Sequence, residues 1–201
     1  MRITLLDHGA GNVASVERAL QRLGANSERT YSAEVLGNAE AIILPGVGHY
    51  SALIRALDQQ NLRSPLVDAI QRGVPFLGIC LGLQALYKFS QEAPQLEGLN
   101  LLPGQVSSLP SHVKLPHMGW NQLQRTRPSR LLDEISPEAF FYFAHSFAST
   151  EPNGDAVALC NYGTNFAAVI EHKNIHAVQF HPEKSGESGA RLLKNFLRLA
   201  A

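Results

Sequence analysis

The rhythm of apolar and polar positions changes halfway along the chain. In the first half, short apolar runs alternate with apolar residues at helical spacing. Arg2–Asp7 is such a run and ends in the loop His8-Gly-Ala-Gly-Asn12. Val13, Val16, Leu20 and Leu23 then mark one face of a helix, which Gly24 stops. Ala41–Leu44 has the composition of a buried strand, leads into Pro45-Gly-Val-Gly48, and is followed by a helical stretch over His49–Asp58. Ser64-Pro65 predicts an N-cap and a first helical position, with Gly73 as the C-cap. Pro75–Ile79 predicts a further strand, and Leu81–Phe89 a helix. Repeated strand–helix alternation predicts an α/β fold, a mostly parallel sheet with helices on both faces.

The second half shifts toward β structure. From Glu97 to Arg127 there are turn signals and no helix pattern. Phe140–Phe147, Ala156–Tyr162, Phe166–Glu171 and Ile175–His181 read as strands. An amphipathic helix closes the chain over Glu187–Leu199, with Leu192, Phe196 and Leu199 on one stripe. Without repeats, low-complexity tracts or linkers, residues 1–201 read as one domain. A doubly wound sheet binds its ligands at the carboxyl ends of its strands. That singles out three loops: the glycine loop after the first strand, the Pro45 loop, and the turn holding Cys80.

Composition narrows the class. Lys+Arg and Asp+Glu both number 17. A neutral chain has no electrostatic reason to bind nucleic acid or an anionic membrane. No apolar stretch is long enough to span a bilayer. The N-terminus lacks the pattern of a signal peptide. Two cysteines, Cys80 and Cys160, make no disulfide framework. The expected location is cytoplasmic, and Cys160 reads as a small buried apolar residue.

Gly78-Ile-Cys80-Leu-Gly82 is a nucleophile elbow with Cys in the serine position. The sharp turn and closely passing backbone call for the two glycines. The sulfur would sit at a helix N-terminus, which favours the thiolate. Gln84, four residues on, falls on the same helix face, where its amide could recognise a substrate amide. His181-Pro182-Glu183 supplies a base and its orienter. Proline favours extended backbone before it, and in extended chain residues i and i+2 point the same way. Glu183 could then hold one nitrogen of His181 while the other faces a thiol. Gly9-Ala-Gly11-Asn-Val-Ala14 fits a dinucleotide fingerprint, with Glu28 and Glu34 as loose candidates for its acidic partner. A tight strand-to-helix connection is the preferred reading of that short pattern. His112, His117, His172 and His176 have no metal-ligand spacing and read as structural or surface residues.

Taken together, Gly78–Gly82, Gln84 and His181–Glu183 resemble the class I, triad-type glutamine amidotransferases. More closely, the chain resembles the glutaminase subunits of imidazole glycerol phosphate synthase, a family of histidine biosynthesis. The closer match is carried by Asp7–Asn12 with Ser15-Val16, Leu44–Gly48, Pro75–Gln84, Glu97-Gly-Leu, Pro116-His-Met-Gly-Trp-Asn121, Phe141-Tyr-Phe-Ala-His-Ser146 and Gln179–Ser185. The resemblance implies a flavodoxin-like glutamine amidotransferase fold, no cofactor and no metal. It implies a heterodimer with a (β/α)8-barrel cyclase, which joins the released ammonia to its substrate. The glycine loop becomes a structural and interface turn, with His8 where the family usually has Tyr.

On this basis Cys80 is the expected nucleophile, His181 the acid and base, and Glu183 its orienter. Backbone N–H groups of Leu81 and of Val47 or Gly48 would form an oxyanion hole. Gly48, Gln84, Ser146 and Phe147 would hold glutamine. Asn12, Pro116, Met118, Trp120, Tyr142 and Lys184 would lie at or near the partner face. Two alternatives stay open: a paralogous glutaminase serving another synthase, and a nucleotide-binding module built on the Gly9–Ala14 loop.

Overall fold

The computed structural model describes every residue except His8, Ala10, Gly11 and Asn153. In chain order the elements are β1 (Arg2–Leu6), α1 (Val13–Arg22), β2 (Asn26–Thr30), α2 (Ala33–Gly37), β3 (Ala41–Gly46), α3 (Tyr50–Gln59), α4 (Arg63–Gln71), β4 (Phe76–Cys80) and α5 (Leu81–Gln84). There follow β5 (Tyr87–Ser90), β6 (Leu102–Ser108), β7 (His117–Gln122), β8 (Gln124–Arg125), β9 (Phe140–His145), β10 (Phe147–Ala148), β11 (Ala156–Asn161), β12 (Asn165–His172) and β13 (Ile175–Val178). A 3-10 turn, Pro182–Lys184, leads into α6 (Gly186–Ala200).

Among the described residues, the main sheet runs β2-β1-β3-β4-β13-β12-β11-β8. Its first five strands are parallel and follow the 2-1-3-4-5 order of flavodoxin-like sheets. β12, β11 and β8 extend it antiparallel. Successive side chains of a strand face opposite ways, so the buried strands serve two cores. Ile3, Leu5, Ile43, Leu77 and Ile79 face α1 and α6 through Val16, Leu20, Leu192 and Phe196. Leu6, Ile42, Leu44 and Phe76 face α3 and α4 through Leu53, Leu57 and Leu66. Two small sheets, β10-β6-β5 and β7-β9, stand beside the main one.

Several sequence expectations shift. β2 and α2 were absent from the sequence reading. β2 reads Asn-Ser-Glu-Arg-Thr and has no apolar residue; as an edge strand it is held by its ladder to β1 and by the Arg2–Glu28 pair at 2.9 Å. The helix expected over Leu81–Phe89 ends at Gln84, and Tyr87–Ser90 is strand β5. A helix would need the carbonyls of residues 85 and 86 for amides four residues on. Here Leu99 takes the Ala85 carbonyl, and Leu101 and Leu102 take that of Leu86. The helix expected to begin at Pro65 begins at Arg63, with Leu62 as its cap. Pro65 still costs no bond, because Leu66 makes the first bond back to Leu62. The strand expected over Phe140–Phe147 breaks at Ser146 into β9 and β10. The one expected over Ile175–His181 ends at Val178.

Close backbone approach around Cys80 yields a direct test. A Cβ on Gly82 would stand 1.9 Å from the carbonyl oxygen of Leu44, and one on Gly78 would stand 2.6 Å from that of Gly82. Gly82→Ala is therefore expected to lower stability by about 3 kcal/mol. Gly37→Ala, which meets nothing within 4 Å, should change it by less than about 0.5 kcal/mol. Urea denaturation of both variants checks the contrast; equal midpoints would contradict it.

Candidate active site

The carboxyl ends of β3, β4 and β13 converge. β3 and β4 are in register with Gly46 opposite Cys80, so the Pro45–Gly48 loop leaves the sheet beside the cysteine. Cys80 has φ 53° and ψ −103°, a left-handed backbone that L residues rarely adopt. It caps α5, which is a single turn, Leu81–Gln84. The helix N-terminus expected behind the sulfur is present, but its dipole is that of a few peptide units.

A cavity of about 370 Å³ opens at this point. It is lined by Cys80 and by all six residues expected to bind substrate: Val47, Gly48, Leu81, Gln84, Ser146 and Phe147. Pro116, expected on the partner face, also lines it, together with His49, Glu92, Ala144 and His145.

His181 lies behind Cys80 and is buried. Its Nδ1 stands 3.0 Å from Glu183 Oε1. A carboxylate oxygen only accepts, so Nδ1 carries the hydrogen and Nε2 is left for the sulfur. Burial works against the imidazolium, but the charge of Cys80, a hydrogen bond with it and the Glu183 carboxylate outweigh that and push His181 up to about 10. The route differs from the expected one. His181 is extended, but Pro182–Lys184 is a 3-10 turn, so Glu183 reaches back around a turn rather than along a strand. The turn is anchored: His181 N–H donates to Tyr142 O at 2.8 Å, and Ser185 Oγ donates to His181 O at 2.7 Å. Asn12 Nδ2 donates to the same Glu183 Oε1 at 3.1 Å, which ties α1's cap to the carboxylate that holds His181 rather than only to an outer face.

Gln84 spends its amide hydrogens on the protein. Its Nε2 donates to Phe147 O at 2.8 Å and to Gln179 Oε1 at 3.2 Å. Both amide hydrogens are thus committed within the protein. Its Oε1 is buried without a hydrogen-bond partner among the described residues and remains able to accept.

Three residues given no role from sequence join the site. Gln179, fully buried, donates from Nε2 to Cys80 Sγ at 3.5 Å. It sits in the Gln179–Ser185 string, but nothing local to that string marks it for the sulfur. Glu92 brings a carboxylate to the cavity: Oε2 accepts from Tyr50 N–H at 3.0 Å, and Oε1 lies 3.1 Å from His49 Nδ1. No motif surrounds it. His145 faces the cavity, and its Nδ1 donates to Phe147 O at 3.0 Å while its Nε2 lies 3.2 Å from His117 Nδ1. His117 is stacked on Tyr162 with ring centroids 4.0 Å apart. Burial holds both rings neutral, lowering His117 to about 4 and His145 to about 3. The other singled-out histidines stand elsewhere: His172 pairs with Asp155 at 2.9 Å, and His176 is buried beside Phe196.

Of the expected partner-face residues, Met118 and Trp120 are 64% and 54% exposed. Trp120 pairs with Tyr142 across β7 and β9, and Lys184 Nζ lies 5.6 Å over the Tyr142 ring. The acidic residue that a dinucleotide fingerprint needs is not at the end of β2: Glu28 is mid-strand, Glu34 opens α2, and Thr30 is last. His8 and part of the Gly9–Ala14 loop lie outside the described residues. Among the described residues no helix is long and apolar enough to cross a membrane.

Comparison with known proteins identifies the family. The family model "Glutamine amidotransferase class-I" covers residues 4–200. A relative named imidazole glycerol phosphate synthase subunit HisH, from Methanothermobacter thermautotrophicus, is 45% identical over 98% of both chains. The chain belongs to the HisH family of class-I glutamine amidotransferases. A HisH relative from Haemophilus influenzae is 42% identical over 98% of this chain and 97% of its own. Another, from Salinibacter ruber, is 41% identical over 98% and 94%. Solved structures share the fold at low identity. A crystal structure of a glutamine amidotransferase has TM-score 0.78 and 19% identity over 98% of both chains. PurLQS from Thermotoga maritima has TM-score 0.80 and 19% identity over 100% of this chain and 99% of its own. The HisH-family chain therefore has the class-I glutamine amidotransferase fold and is an enzyme of that kind.

The neutral His117–His145 pair sets a pH dependence. Unfolded histidines take up a proton near pH 6.5, whereas these two resist it until about 4 and 3. Below pH 6.5 the unfolded chain binds more protons than the folded one, so stability falls as pH falls through that window. Urea midpoints at pH 7, 6 and 5 should show the decline, and His145→Gln should flatten it. An unchanged slope in the variant would sink this assignment.

Proposed function

We propose that the chain hydrolyses the side-chain amide of glutamine through Cys80, His181 and Glu183 and passes the ammonia to a cyclase subunit. The observation that carries the reading is Cys80 on the wall of a cavity it shares with Val47, Gly48, Leu81, Gln84, Ser146 and Phe147, with His181 hydrogen-bonded to its sulfur and Glu183 holding that imidazole. The Cys80 thiolate attacks the amide carbon. Backbone N–H groups of Leu81 and of the Val47–Gly48 segment stabilise the oxyanion. The His181 imidazolium gives its proton to the departing nitrogen, leaving ammonia and a thioester on Cys80. Neutral His181 then takes a proton from water, which attacks the thioester and releases glutamate. Glu183 holds the ring in the tautomer this needs. Glu92 supplies negative charge facing the α-ammonium of glutamine, and Gln84 Oε1 is a further acceptor for the substrate. No step calls on a metal or cofactor.

The relatives' names describe a subunit of imidazole glycerol phosphate synthase, which supports a cyclase partner and a place in histidine biosynthesis. We assign this partner a (β/α)8 barrel that makes imidazole glycerol phosphate and aminoimidazole carboxamide ribonucleotide. Residues 1–201 serve as one glutaminase domain. Two free, buried cysteines suit a reducing cytoplasm. The exposed apolar face of Met118, Trp120 and Phe140, with Tyr142 and Lys184 alongside, is the docking surface this reading requires. Asn12 and Pro116 flank it next to the site.

Glutamate release is the measurement, with the purified chain alone and with the barrel cyclase plus its nucleotide ligand. Cyclase is expected to stimulate release strongly, and Cys80→Ala to abolish it. Wild-type release by Cys80→Ala would refute the nucleophile; equal release with and without cyclase would refute the partner. Trp120→Ala is expected to weaken cyclase binding by about 2 kcal/mol, roughly 30-fold in Kd, with the free chain's fold intact. Isothermal titration decides, and unchanged affinity would remove Trp120 from the interface.

A further inference from the structure

We infer that Gln179 is a positioning residue for the nucleophile: its amide, locked in one orientation by Gln84, donates a hydrogen bond to Cys80 Sγ and favours the thiolate. The inference rests on Cys80 being the nucleophile. The orientation follows from one fixed acceptor. The Phe147 carbonyl can only accept, so the group of Gln84 that lies 2.8 Å from it is the NH2 group. That NH2 also faces Gln179 at 3.2 Å, so the facing atom of Gln179 is its oxygen. The NH2 of Gln179 is then left pointing at the sulfur, 3.5 Å away. Gln84 and Gln179 are 1% and 0% exposed, so no water competes for these bonds. Flipping Gln84 would set oxygen against oxygen, and flipping Gln179 alone would set one NH2 group against the other.

α5 is one turn long and provides little dipole. An N–H donor binds an anionic sulfur more strongly than a neutral thiol, because the charge assists the bond. Gln179 thus adds to the stabilisation from His181 without changing the site's charge. The titratable groups around the sulfur are His181, Glu183 behind it, His145 across the cavity, and His49 with Glu92 at its mouth. Replacing Gln179 leaves all of them in place.

The test is alkylation of Cys80 by iodoacetamide in the full chain, followed by mass spectrometry from pH 5 to 10. Cys80 lines the cavity, whereas Cys160 does not and burial pushes its thiol up to about 12, so Cys160 should stay unmodified. Gln179→Met keeps the side-chain length and removes both polar atoms. Gln179→Glu keeps the acceptor for Gln84 and puts negative charge at the sulfur. In either variant Cys80 alkylation at pH 7 is expected to slow about tenfold and to converge on the parent rate at high pH, where the thiol is ionised regardless. A purely structural role would lower stability without this shift toward higher pH. One folded variant, judged by circular dichroism, suffices. Profiles superimposed on the parent's would overturn the inference while leaving the nucleophile intact. A parent Cys80 that resists alkylation at every pH would overturn the nucleophile and the inference with it.

Discussion

The site depends on the backbone of Cys80. A non-glycine residue at φ 53° and ψ −103° is strained by about 1–3 kcal/mol, and such strain persists only where the surroundings over-determine it. Here they do. Gly78, Gly82 and Gly46 let three stretches of main chain touch where any side chain would collide: Gly82 against Leu44, Gly78 against Gly82, and Gly46 against Leu81. β3 and β13 flank β4 in parallel register. The turn cannot relax without moving the centre of the sheet. Its consequence is that the sulfur leaves the sheet at the point where the Pro45–Gly48 loop and the His181 segment also emerge.

Two oxygen atoms then order the polar groups around it. Glu183 Oε1 accepts from Asn12 and from His181 Nδ1, which settles the imidazole's tautomer. The Phe147 carbonyl accepts from Gln84 and from His145, which settles two amides and a second imidazole. Both histidines are buried, yet their environments drive them apart. At His181 a thiol and a carboxylate outweigh burial and raise it to about 10; at His145 burial dominates, with another imidazole adding to it, and lowers it to about 3. A single site thus holds one histidine ready to be charged and one kept neutral.

Much of this was legible from local signals. A strand followed by Cys between two glycines predicts a sharp turn with closely passing backbone, and the main chain does pass close at Gly78 and Gly82. The parallel half of the sheet followed from strand–helix alternation, because buried strands read as continuous apolar runs. What escaped depended on contacts between distant segments. β2 is polar because it is an edge strand, so its place comes from β1 rather than from its own composition. β5 reads as helix over Leu81–Phe89, and only the capture of its carbonyls by residues 99–102 makes it strand. Glu92 and Gln179 were invisible for the same reason: each acquires its neighbours across long stretches of chain, Glu92 from Tyr50 and Gln179 from Cys80. Gln84 lines the cavity with Cys80, but its hydrogen-bond partners could not be read from helix spacing.

The two faces of the β7–β9 hairpin-like pair link the exposed surface to the buried site. Alternation puts His117, Phe141, Phe143 and His145 inside and Met118, Trp120, Tyr142 and Phe140 outside. Tyr142 belongs to both sides at once. Its ring lies outward between Trp120 and Lys184, while its carbonyl holds the His181 amide and its own amide holds Ser185. Two residues further along the chain, the same strand delivers Ala144 and His145 to the cavity wall. Any protein seated on the outer rings therefore bears on the strand that fixes the imidazole. The distance between the exposed rings and the His181 imidazole is one strand's thickness, and the strand itself is the connection.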